Sequence, residues 1–213
     1  MRTDDLVSLL AKDAQPVSKG AVPLRLTLFG ALGVVAAFVI MVLWLGIRPD
    51  LAEAARGFPF WMKAAYTAGL AVAGFALIER LARPGGAGRV GLILLGLVVL
   101  AIVALAVMQL SSTPADGMSA ALLGSTWTQC PWRILILSAP GLVALLIAVR
   151  RFAPSNPWRA GAAAGLLAGG LGATVYGLFC QESAAPFVAI WYSLGISLSG
   201  LLGALLGSRL LRW

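Results

Sequence analysis

The chain has 213 residues, 60% of them hydrophobic and 11% charged, with a formal charge of +8 and a mean hydropathy of +0.94. A water-soluble domain of this size cannot cover so much apolar surface with so few charges, so lipid is the solvent for most of it. Histidine is absent, which removes the usual general base near neutral pH, the commonest metal ligand and the usual haem ligand.

The first twenty residues are polar and amphipathic, with no apolar run behind a basic start, so they do not read as a cleaved signal peptide. Thr3 suits a helix N-cap, and Asp4 and Asp5 fall in the first turn, where carboxylates complement the helix dipole. Leu6, Leu9 and Leu10 then form one apolar stripe, Asp13 follows, and Pro16 ends the helix. Two readings stand. One is a tail or a membrane-surface helix, the latter opposed by Asp4, Asp5 and Asp13, because surface helices favour Lys and Arg. The other is a docking helix that lays its leucines into a partner's groove.

Six apolar stretches follow, near residues 24–47, 62–81, 90–110, 134–149, 160–179 and 187–206, each read as a membrane span. The expected fold is therefore all-α: a polytopic membrane protein with six transmembrane helices behind a short N-terminal amphipathic helix. Residues 1–23 would be a cytosolic segment and 24–213 the membrane domain. Basic residues set the orientation. Twelve of the sixteen Lys and Arg fall in the N-terminal segment, the second and fourth connections and the C-terminus. Only Arg48, Arg56, Lys63 and Arg133 belong to the other side. By the positive-inside rule both termini are cytosolic. The charge of +8 thus reads as topology, and no stretch combines clustered Lys/Arg with aromatics as a nucleic-acid surface would.

On the outer side, residues 111–129 carry no basic residue and 181–186 only Glu182. The chain's two cysteines lie here: Cys130 opens the fourth span and Cys180 closes the fifth. A short Pro-punctuated turn, residues 151–158, joins those spans on the inner side, so they form a hairpin with both cysteines at its open end. Three readings of the pair compete: small buried hydrophobes, a disulfide favoured by an oxidising exterior, and a thiolate trap for a soft cation such as Cd²⁺ or Zn²⁺ with Glu182 or water as a further ligand. Helix packing distances permit a disulfide without requiring one. No C-x-x-C is present, which counts against a thiol-oxidoreductase. Trp127 and Trp132 flank Cys130, Tyr176 and Phe179 precede Cys180, and Trp191 and Tyr192 lie a turn into the last span. An interfacial aromatic belt explains them, and they would also line a pocket around the thiols. Gly161, Gly165 and Gly169, then Gly195, Ser199, Gly203 and Gly207, give small-xxx-small spacing suited to close helix packing. With no acid or base read at mid-span and no internal repeat, a pump or carrier is disfavoured.

The spaced motifs resemble the NrsF-type anti-sigma factors across nearly the whole chain. They are Thr3-Asp4-Asp5-Leu6 with Leu10-Ala11-x-Asp13 and Pro16, and Phe60-Trp61-x-Lys63-x-x-Tyr66. Next come Gly124-Ser125-x-Trp127-x-x-Cys130-Pro131, Cys180-x-Glu182 and Trp191-Tyr192-x-Leu194-Gly195-Ile196, with Gly207-x-Arg209-Leu210-Leu211-Arg212-Trp213 at the end. The resemblance implies a six-span bacterial inner-membrane protein whose N-terminal segment, around Asp4, Asp5, Leu6, Leu9, Leu10 and Asp13, binds an extracytoplasmic-function (ECF) sigma factor. It also implies that Cys130 and Cys180 sense heavy-metal or oxidant stress, with Glu182 and Trp127 as accessory residues. Family members often carry a histidine just before the second cysteine, where this chain has Phe179; that departure turns the site from a thiolate-plus-imidazole metal centre toward redox or thiol-only sensing.

The resulting expectation is a regulatory binding protein and not an enzyme. It would hold a sigma factor at the membrane, with lipid as its other partner, no direct nucleic-acid contact and no cofactor beyond a transient Cd²⁺ or Zn²⁺. The alternatives are a membrane thiol-oxidoreductase and a small-solute or metal exporter.

Overall fold

The computed structural model describes residues 20–83 and 85–212. All regular structure among them is helical: α1 (Ala21–Trp44), the single turn α2 (Leu51–Ala54), α3 (Phe58–Leu81), α4 (Arg89–Ser111), α5 (Ala115–Leu123), α6 (Cys130–Arg150), α7 (Pro157–Tyr176) and α8 (Ala185–Leu210). Pro59, Pro131, Pro157 and Pro186 occupy the first turn of α3, α6, α7 and α8, where a missing N–H leaves no bond unmade. At the start of α7 the Asn156 side chain also accepts the Arg159 backbone N–H at 3.1 Å. In α8 a π-helical stretch, Val188–Tyr192, interrupts the α-pattern. The expected N-terminal helix around Leu6 and Leu10 lies outside the described residues.

Five helices, α1, α3, α4, α6 and α8, are long and apolar enough to cross a membrane. Six such segments were expected from the sequence, and the one that falls short is α7, 20 residues rich in Gly and Ala. Its position supplies the reason. Nearly every residue from Ala160 to Tyr176 is buried or half-buried, because α1, α3, α6 and α8 pack around it. A helix enclosed by other helices needs small side chains more than apolar bulk. The opposite case is α4, whose mean hydropathy of 3.2 exceeds that of the other four and whose Leu92, Ile93, Leu97, Leu100 and Val107 are exposed.

The small residues do the work the spacing suggested. A Cβ built on Gly165 would lie 2.2 Å from the Ser199 carbonyl oxygen of α8. One on Gly33 of α1 would lie 2.5 Å from the Gly141 Cα of α6, next to Pro140, which removes a backbone donor inside that helix.

The core falls into two clusters. One gathers Val22, Leu26, Ile78, Leu145, Val149 and Leu211, so both described chain ends lie at one end of the bundle. The other gathers Met41, Tyr66, Cys130, Tyr176, Cys180 and Tyr192 at the opposite end.

Candidate functional site

Both cysteines are free thiols at that second end, 0% exposed at Cys130 and 2% at Cys180. Cys130 is the first residue of α6, and its backbone N–H donates to the Thr126 carbonyl at 2.9 Å. Cys180 sits on the turn after α7, where its N–H donates to the Tyr176 carbonyl at 3.0 Å. The hairpin inferred from the sequence is present, and one buried cluster holds both thiols at its open end.

Two cations hold the Cys180 turn from behind. The Lys63 ammonium donates to the Cys180 carbonyl at 2.7 Å and to the Glu182 carbonyl at 2.9 Å, and lies 5.8 Å from the centre of the Tyr192 ring. The Arg48 guanidinium reaches the same Cys180 carbonyl at 3.3 Å, and its backbone N–H donates to the Leu178 carbonyl. A two-pronged pair to Asp50, at 2.6 and 2.8 Å, fixes that guanidinium. The pair holds the Asp50 carboxyl below its usual range, mainly through the hydrogen bond from Arg48, and raises Arg48 for the same reason. Lys63 needs a correction. The sequence reading grouped it with the outer connections, but it lies in the second turn of α3 and is 2% exposed. Among the described residues no carboxylate lies within ion-pair distance of it. A charged residue at the edge of an apolar helix was the signal that could have found it.

The Glu182 carboxylate is bound by Ser125. One oxygen accepts both the backbone N–H and the hydroxyl of Ser125, each at 2.7 Å. The preceding residue, Gly124, has φ +54°, and a Cβ there would lie 2.6 Å from the same carboxylate, so only glycine lets the two loops meet. Trp127 packs against Trp191 with ring centres 5.1 Å apart and planes tilted by 46°, and the Trp191 indole N–H donates to the Leu122 carbonyl at 2.9 Å. Gln109 accepts the Ala185 N–H at 2.8 Å. The Ser125–Glu182 bonds join the loop after α5 to the turn after α7, and Gln109 and Trp191 tie α4 and α5 to α8. The postulated partner-binding residues, Asp4, Asp5, Leu6, Leu9, Leu10 and Asp13, lie outside the described residues.

A cavity of about 280 Å³ opens beside Cys180, lined by Leu45, Arg48, Tyr176 and Glu182 among others. Cys180, Gln181 and Phe179 share that lining. Among the described residues no group of three or more Cys, Asp, Glu or His is placed to hold a metal ion. Two sulfurs, with Glu182 turned to Ser125, make an incomplete resident-metal site. The arrangement is two buried sulfurs in one cluster, with the Lys63 ammonium bonded to the Cys180 carbonyl.

The family profile for NrsF, described as a negative regulator of sigma F, matches residues 10–213. The chain is 47% identical over 214 residues to the protein named Anti-sigma-F factor NrsF in Caulobacter vibrioides (strain NA1000 / CB15N), with 100% of both chains covered. It is 38% identical over 213 residues to the Azospira oryzae protein named "Probable anti-sigma-F factor NrsF", again covering 100% of both. No solved structure matches.

Proposed function

The chain belongs to the family of negative regulators of sigma F, and on that premise we propose that it is an anti-sigma factor of the bacterial inner membrane. The family is one of regulators, not of enzymes. In this reading six helices span the bilayer, α7 being the sixth, shielded by its neighbours. Both termini face the cytosol, as the excess of Lys and Arg on that side favours. Residues 1–23 hold an ECF sigma factor, the leucines in a groove and the three aspartates against the cationic face such a factor needs for DNA. A thiol-reactive stress, an oxidant or a heavy-metal ion, modifies Cys130 and Cys180 and lowers affinity for the partner. The observation that carries the sensing half is that both thiols share one buried cluster at the end of the bundle away from the chain ends. A tenfold loss of affinity needs only about 1.4 kcal/mol of coupling, within reach of one new covalent bond.

The test is co-purification from native membranes. Full-length protein is expected to capture an RNA polymerase sigma subunit, and deletion of residues 1–15 to abolish the capture. Retained capture would remove the N-terminal segment from the interface. Replacing Cys130 and Cys180 with Ser should leave insertion intact and blunt stress-induced release; an unchanged response would move sensing elsewhere.

A further inference from the structure

Two hydroxyls beside the thiols have nothing to bond. Tyr176 and Tyr192 are 0% exposed, their rings lie 5.7 Å apart, and neither phenolic oxygen has a hydrogen-bond partner. A buried hydroxyl left unpaired is costly, and two side by side require an explanation. The Tyr176 side chain interacts with those of Cys130 and Arg133 and the Tyr192 side chain with that of Cys180, without reaching hydrogen-bond geometry. A neutral thiol is a weak acceptor and leaves a phenol unsatisfied, whereas an anionic sulfur is a strong one. Lys63 adds a cation to the same neighbourhood. Its ammonium carries three donors, and two of them go to the Cys180 and Glu182 carbonyls.

We propose that Tyr176 and Tyr192 are positioning residues for the thiol pair: unpaired at rest, their hydroxyls close onto the sulfur of Cys130 or Cys180 when it becomes anionic. The thiolate is the nucleophile in cysteine chemistry, and in an apolar core without donors it would be stranded. The tyrosines keep the pair reactive despite its burial. This inference rests on the thiol pair being the regulator's reactive element.

The experiment uses full-length protein in lipid nanodiscs, alkylated with iodoacetamide at one fixed pH, with the rate at each cysteine read by mass spectrometry. The new S–C bond forms as iodide leaves, and the thiol proton passes to buffer. Tyr192→Phe should slow Cys180 about tenfold and Tyr176→Phe should slow Cys130 by a similar factor, the scale of one lost hydrogen bond to a charged acceptor. The thermal midpoint should hold or rise, because no bond of the resting protein is removed. A purely structural role would move the midpoint and not the rate. Unchanged rates at both cysteines overturn the proposal. A sharp fall in the midpoint overturns it too, since the hydroxyls would then be bonded at rest. No sigma factor enters this assay, so failure of the regulatory reading shows separately, as unaltered partner release in the Cys→Ser protein.

Discussion

Lys63→Met separates what the buried ammonium does for the fold from what it does for the cysteine turn. Two N–H···O bonds, at 2.7 and 2.9 Å, disappear with the charge. Each such bond from a charged donor contributes about 1.5–3 kcal/mol. Against this stands the cost of keeping an ammonium 2% exposed with no carboxylate partner, several kcal/mol by itself. Methionine has similar volume and no such cost, so global stability should change little. The turn fares differently. After substitution the Cys180 carbonyl keeps Arg48 at 3.3 Å, the Glu182 carbonyl loses its Lys63 donor, and the Glu182 carboxylate keeps its two Ser125 bonds. Losing about 3 kcal/mol of local tether, the low end for two such bonds, should raise the open population of residues 177–184 roughly a hundredfold. The assay is maleimide labelling of Cys180 in nanodiscs, with Cys130 as internal reference because α6 and not the turn holds it. A rise at Cys180 alone is expected. Equal rates in variant and parent would refute the claim that Lys63 holds the turn, and a parallel rise at both cysteines would mean general loosening.

Other substitutions test the packing and the loop contacts. Gly165→Val should destabilise by about 1–3 kcal/mol or more, because its Cβ meets the Ser199 carbonyl at 2.2 Å, whereas Gly96→Ala, with nothing within 4 Å, should gain up to about 1 kcal/mol from helix propensity. Thermal unfolding of the two side by side is the check, and equal effects would contradict the central position of α7. Trp191→Phe removes the indole bond to the Leu122 carbonyl, about 1 kcal/mol, and should speed amide exchange in α5 while leaving α7 protected. Asp50 has a folded pKa below its unfolded value of about 3.9, so its contribution is complete above that pH and fades only as pH falls through the lower folded value. Carbon NMR of its carboxyl should therefore titrate below a free aspartate, and an ordinary midpoint would mean that Arg48 is not bound to it in solution.

Much of this architecture was legible in the residues. Apolar stretches of membrane length located the long helices, and the Pro-punctuated run 151–158 marked the turn before α7. Parity of crossings put Cys130 and Cys180 at one end. The Gly-x-x-x-Gly spacing of Gly161, Gly165 and Gly169 announced a close contact, which Ser199 and Gly203 supply. What did not show was anything set by the chain returning on itself. Lys63 finds its acceptors 117 and 119 residues away, so its own neighbourhood read as a basic residue near a loop. Glu182 looked like a further metal ligand beside the thiols because nothing local says that Ser125, 57 residues earlier, claims its carboxylate. The tyrosines were visible as aromatics, but an unpaired hydroxyl is a property of packed surroundings. Hydropathy alone does not set α7 apart as a span, since it measures fitness for lipid and this helix meets mostly protein.

The same packing bears on how a change at the thiols could be felt at the other end of the bundle. Cys130 begins α6 and Cys180 follows α7, so any new bond or adduct at the pair pulls on those two helices. α7 has no slack. Glycine backbone meets backbone at Gly161 and Gly165 against α8, at Gly170 against Ala71 of α3, and at Gly172 against Ser138 of α6, each closer than a Cβ would allow. A close-packed contact of this kind does not compress gradually; it holds or it shifts as a unit. A displaced α7 must therefore carry neighbours with it. One of them is α3, which has Lys63 near one end and the Glu79–Arg83 pair, at 2.9 Å, near the other. The rigidity that makes α7 too small-sided for lipid is what would let two sulfurs act across the length of the protein.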